Sequence, residues 1–133
     1  MATDGQVATV IDGGEYWDWE DLPSSGAVLP SSQQGGDYTF ALTDASTVVE
    51  GTSADPQTFT IPPQSDVAFP YGPTNCTVIE VCQLGAGQIT IAAGVGVTLL
   101  SDGGATLTNA QYATIGLRQS TENVWVLSGD LTT

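Results

Sequence analysis

The ionisable side chains that decide chemistry here are fifteen Asp and Glu against one cation, Arg118, with no Lys and no His, for a formal charge of −14 over 133 residues. Without His or Lys there is no Ser-His or Cys-His nucleophile pair, no Schiff-base lysine, no phosphate-gripping lysine and no imidazole metal ligand. Carboxylates alone leave acid–base hydrolysis and oxygen-only calcium coordination. Yet no spacing selects a glycosidase-like pair, and neither the Asp-Thr-Gly nor the Asp-Ser-Gly motif of aspartic proteases occurs. Calcium would draw on Asp18, Glu20 and Asp21 or on the Asp102 turn, but the alternating Asp spacing of an EF-hand is missing, so solvated acids are the better expectation. We therefore expect no enzymatic activity, no metal and no cofactor. Nucleic acid and anionic membrane are excluded as partners, because each must be met by several cations. A neutral or basic partner is expected instead.

The densest chemistry-bearing run is Glu15-Tyr16-Trp17-Asp18-Trp19-Glu20-Asp21, which holds two of the three tryptophans. Aromatic rings supply buried area in recognition patches and carboxylates favour a basic counterpart, so Tyr16, Trp17, Asp18, Trp19, Glu20 and Asp21 read as an anchor onto a partner protein. Two other readings stay open: a strand whose tryptophans cover the domain's own core, and a platform on which sugar rings stack. Arg118, placed on a strand, is expected to meet Glu50 or Glu80, with Arg118–Glu80 as a structural ion pair. Cys76 and Cys82 fall in what reads as one strand, where about 3.3 Å per residue puts them about 20 Å apart, so free thiols are expected. The sequon Asn75-Cys76-Thr77 is read as accidental, since the first residues lack the layout of a secretory signal and cytosolic synthesis is expected. No apolar run approaches the roughly 18 residues of a membrane span.

The elements that must position these groups read as strands. From Asp37 onward β-rich runs recur between turn signals, and apolar residues nowhere repeat at helical spacing. The expected strands are Tyr38–Thr43, Thr47–Gly51, Thr58–Ile61, Val67–Phe69, Thr77–Leu84, Gln88–Ala92, Val97–Leu100, Tyr112–Arg118 and Val124–Leu127. Turn chemistry stands between them at Asp55-Pro56, Pro62-Pro63, Pro70-Tyr71-Gly72-Pro73, Gly85-Ala86-Gly87, Gly94-Val95-Gly96, Asp102-Gly103-Gly104 and Thr121-Glu122-Asn123. The fold class predicted is all-β: an antiparallel sandwich, jelly roll or barrel, over residues 37–133. Residues 1–36, apart from a short strand at Val7–Ile11, are Gly, Pro, Ser and acids, and read as an extended N-terminal arm packing on a neighbouring molecule. Thr77–Leu84 and Val124–Leu127 are apolar on both faces, which leaves one face for the core and the other for a second layer or a subunit interface. An interface, and a homotrimer, is the expectation.

The body also resembles a known family. Tyr38-Thr39-Phe40-Ala41-Leu42-Thr43-Asp44-Ala45, Phe59-Thr60-Ile61-Pro62-Pro63 and Val67-Ala68-Phe69-Pro70 are similar to the opening of a β module of tailed-phage virion proteins. The second half resembles that module almost phrase by phrase: Thr77-Val78-Ile79-Glu80-Val81, Gln83-Leu84-Gly85-Ala86-Gly87-Gln88-Ile89-Thr90-Ile91-Ala92-Ala93-Gly94, Gly96-Val97-Thr98-Leu99, Tyr112-Ala113-Thr114 and Trp125-Val126-Leu127-Ser128-Gly129-Asp130-Leu131. The resemblance covers residues 38–131 and implies a virion structural protein without catalytic residues. Such modules occur in head decoration and head-fibre proteins and at the tips of tail fibres. A short arm in place of a long repetitive shaft favours decoration of the outer capsid surface, with the major capsid protein as partner. The alternative implied is a fibre module that binds a host-surface glycan through loops such as Pro70–Asn75 and Asp102–Asn109.

Overall fold

The computed structural model describes residues 28–133, together with the backbone of two short strands before them, β1 (Ile11–Asp12) and β2 (Gly14–Glu15), paired antiparallel. The body contains β3 (Ser31–Gln34), β4 (Tyr38–Thr39), β5 (Val48–Gly51), β6 (Gln57–Ile61), β7 (Val78–Gln83), β8 (Ile89–Ala93), β9 (Thr98–Leu100), β10 (Leu107–Thr108), β11 (Thr114–Thr121), β12 (Val124–Gly129) and β13 (Leu131–Thr132). They form a six-stranded sheet in the order β3-β5-β7-β11-β12-β9 and a five-stranded sheet in the order β13-β10-β8-β6-β4. The body is all-β, as the alternation and turn spacing predict.

Up to β8 the chain winds alternately through the two sheets. β3, β5 and β7 fall side by side and parallel in one, while β4, β6 and β8 do the same in the other. Each Gly- or Pro-marked turn is thus a corner that carries the chain across to the facing sheet, so neighbouring strands come from successive coils and run parallel. The second half runs the other way. β11 pairs antiparallel with β7 and, through the tight Glu122-Asn123 turn, with β12; β10 pairs antiparallel with β8, and β13 with β10. Asn123 holds φ 58°, a left-handed conformation that Asn tolerates better than most residues. β9 closes the six-stranded sheet by running parallel to β12. The sheets are therefore mixed rather than purely antiparallel, and they stay open at β3 and β9 and at β13 and β4 instead of closing into a barrel.

Alternation places the core. In β7 Ile79 and Val81 are fully buried, and the same inward set continues through Val49, Ile115, Leu117, Trp125 and Leu127 of the six-stranded sheet. Phe59, Ile61, Ile89 and Ile91 of the facing sheet join them in one cluster. At about 25 cal/mol per Å² of apolar surface removed from water, these layers are the main favourable term in folding. The run Val67–Phe69 is not a strand. Its Phe69 N–H closes back on the Val67 carbonyl at 3.0 Å, and the Phe69 ring stands edge-on to Trp125 with centroids 5.4 Å apart. It is a loop that plugs one end of the core.

Several inward polar side chains bond within the corners, whereas the buried Gln119 Oε1 has no partner among the described residues. Gln57 donates through Nε2 to the carbonyls of Gln34 (3.0 Å) and Gly36 (2.7 Å) in the coil before it. Gln83 accepts from Thr108 Oγ1, which itself accepts from the Ile89 N–H at 2.9 Å, so β7, β8 and β10 are tied across the two sheets.

β3 lies inside residues 1–36, the segment read from sequence as an arm. Its Ser-Ser-Gln-Gln has no apolar alternation to announce a strand, and pairing with β5 at the sheet edge makes it one. The expected strand Val7–Ile11 lies outside the described residues apart from Ile11.

Candidate functional site

The outer face of the six-stranded sheet is built by the side chains that alternation turns away from the core. Register lines them up in rows. Leu100 of β9 stands beside Val126 of β12, Val126 beside Arg118 of β11, and Arg118 beside Val78 of β7. The next row runs Ser128, Gly116, Glu80, Val48 and Ser31, and a third runs Thr114, Cys82, Glu50 and Gln33. Val78 is 45% exposed and Leu100 48%, with Val48, Val124 and Val126 partly exposed. The sequence marks β7 and β12 as apolar on both faces, and the fold turns the second faces of both into one surface. Leu100 and Val48 were not legible as part of it, since only register brings them to the same rows.

Arg118 and Glu80 share this face as diagonal neighbours, one strand and two residues apart. The expected ion pair between them is not formed: among the described residues no carboxylate lies within salt-bridge distance of Arg118, which is exposed and flanked by valines on both sides. Glu50, the other candidate, lies two strands from Arg118 and accepts from Gln33 Nε2 at 3.2 Å.

The run Tyr16, Trp17, Asp18, Trp19, Glu20 and Asp21, expected to anchor a partner, lies outside the described residues. Among the described residues no group of three His, Cys, Asp or Glu is placed to hold a metal ion, and no helix is long and apolar enough to cross a membrane. Cys76 is an exposed free thiol in the loop before β7, and Cys82 is half-buried on β7. An open depression of about 300 Å³ is lined by Asp102, Ala105, Leu127, Ser128, Gly129 and Leu131. Tyr71, in the corner Pro70–Asn75, is 42% exposed.

A buried carboxylate does occur, at Asp44 in the turn after β4. Its Oδ2 accepts from the Tyr38 hydroxyl and from the Ala41 N–H, each at 2.7 Å. Burial first, and then the hydrogen bond and charge of Asp44, push the Tyr38 hydroxyl up to about 12. This pair fastens β4 to the turn that follows it, and its role is structural.

No family model, curated protein or solved structure matches this chain.

Proposed function

We propose that this chain is a virion structural protein, a decoration protein of the outer head surface of a tailed phage. What supports the reading is where the phrases that resemble the phage module fall in the fold. Phe59-Thr60-Ile61-Pro62-Pro63 supplies β6 and the corner whose Ile61 carbonyl accepts from the Gly94 N–H at 2.8 Å. Gly85-Ala86-Gly87-Gln88-Ile89-Thr90-Ile91 supplies the corner into β8, and Trp125 to Leu131 supplies β12 and the start of β13. The similar segments are therefore those that stack the coils and fill the core, the parts a common framework has to keep.

On this reading the body is an outward knob and a homotrimer, made in the host cytoplasm and carried on the outer capsid surface. Tyr16, Trp17, Asp18, Trp19, Glu20 and Asp21 anchor it to the major capsid protein. A surface of net charge −14 also repels released DNA. The exposed Tyr71 corner and the depression beside Asp102 and Ser128 support the second reading, a receptor- or glycan-binding module of a tail or head fibre.

Gold-labelled antibody against the chain, viewed on intact virions, tests the choice. Label spread over the head is the expected result, and label confined to the tail tip overturns decoration in favour of the fibre module. Deleting residues 1–22 is expected to abolish capsid binding while the β body stays folded by circular dichroism.

A further inference from the structure

We infer that the outer face of the six-stranded sheet is the surface through which copies of this chain associate, with Arg118 of one copy set against Glu80 of the next. The inference takes the self-association contained in the reading above and assigns it a face and a pair of residues.

The two outer faces of the sandwich differ in kind. On the five-stranded sheet register gathers Thr39 with Thr60 and Ala92, and Thr58 with Thr90, Leu107 and Thr132, a surface dominated by hydroxyls that water satisfies. On the six-stranded sheet the row Leu100, Val126, Arg118, Val78 crosses four strands, and Val48 and Val124 widen it. β-Branched aliphatic side chains left against water over several adjacent strands are what an association surface looks like.

Charge selects the occupant. A basic foreign protein would be drawn to the acids that dominate the rest of the chain. The face itself carries Arg118 against Glu80 and Glu50, close to neutral on a chain of net charge −14, so it is where identical acidic copies can meet with least repulsion. Arg118 is the chain's sole cation, and among the described residues no acid pairs with it. Because Arg118 and Glu80 sit on one face but in different rows, a three-fold rotation about an axis running along that face can bring Arg118 of each copy to Glu80 of the next without any change within the chain. Gly116, beside Glu80, adds no side chain of its own to the middle of the face, where the Ser128 hydroxyl lies 3.3 Å from the position a Cβ would take.

Light scattering on the full chain after gel filtration tests this. The native chain is expected at a multiple of 13.7 kDa. Val78→Asp/Val126→Asp and the milder Val78→Thr/Val126→Thr, which keeps β-branched residues in the strands, are both expected to run at the monomer mass with unchanged far-ultraviolet circular dichroism. Arg118→Glu alone and Glu80→Arg alone should each dissociate the assembly, and the double variant Arg118→Glu/Glu80→Arg should restore the native mass. A native chain that is monomeric throughout the micromolar range overturns the inference, as does an assembly whose mass the valine substitutions leave unchanged, or a double variant that stays monomeric. None of these outcomes bears on head or tail location, which the antibody labelling decides separately.

Discussion

Tyr38 shows how far one side chain can tie local structure to stability. Its ring stands edge-on to Phe40 and Phe59 at centroid distances of 5.9 and 6.0 Å, and its hydroxyl is a donor to the buried Asp44. Tyr38→Phe keeps the ring contacts but removes that donor, and is expected to lower unfolding free energy by about 1–2 kcal/mol in urea titrations. The pH dependence has a definite sign. The folded state holds the Tyr38 proton more tightly than the unfolded chain does, so this contribution is fully present below the ordinary value of 10.0 and is lost as pH climbs through about 12. Stability measured across that window should fall less steeply in the Phe variant. Thr108 offers a second test at this scale. It is fully buried, and Thr108→Val would leave the Gln83 side-chain oxygen and the Ile89 N–H without their partner. A cost of about 1–3 kcal/mol is expected, read as a lower urea midpoint with the slope unchanged. Neither role was legible in the sequence, where Gln83 and Thr108 look like ordinary surface residues and only the fold buries them.

At the scale of elements, the corners decide the architecture. A Cβ on Gly87 would collide with the Asp55 carbonyl in the corner of the preceding coil, and the Gly87 N–H donates to the Ser53 carbonyl at 3.0 Å, so the backbones there meet with no room for a side chain. Gly36 differs, because a Cβ there meets nothing within 4 Å. Gly87→Ala is expected to cost about 2 kcal/mol or more and Gly36→Ala to change stability by less than about 1 kcal/mol, compared by thermal melts of the two variants. The sequence marks Gly85-Ala86-Gly87 as a turn, and that much holds. Turn chemistry does not say whether the chain reverses beside its own strand or crosses to the facing sheet, so the parallel coils stayed hidden. β3, β10 and β13 stayed hidden for another reason: they are short, carry few apolar residues and owe their strand state to the neighbour they pair with. The long alternating runs of β7, β11 and β12 were legible because burying one face forces period two on the sequence. The candidate face was legible only as two strands apolar on both sides, since the rows that unite it depend on register.

Across the whole molecule, fifteen acids against one Arg make self-repulsion a standing cost. Raising salt from about 0.01 M to about 0.15 M shortens the screening length from about 30 Å to about 8 Å, so the melting temperature is expected to rise with added sodium chloride. A melting temperature that fell over that range would mean that attraction at Arg118 outweighs the repulsion among the acids. The order of strands in the six-stranded sheet carries a different consequence. β9 joins that sheet only through β12, and β12 only through β11, although β9 precedes both in the chain. During vectorial synthesis β9 therefore leaves the ribosome with its place in the sheet still unmade, and it must wait until residues 114–129 have emerged and formed their hairpin. Completion of this layer is accordingly a late event, and a chain truncated before Trp125 lacks the strand that β9 pairs with.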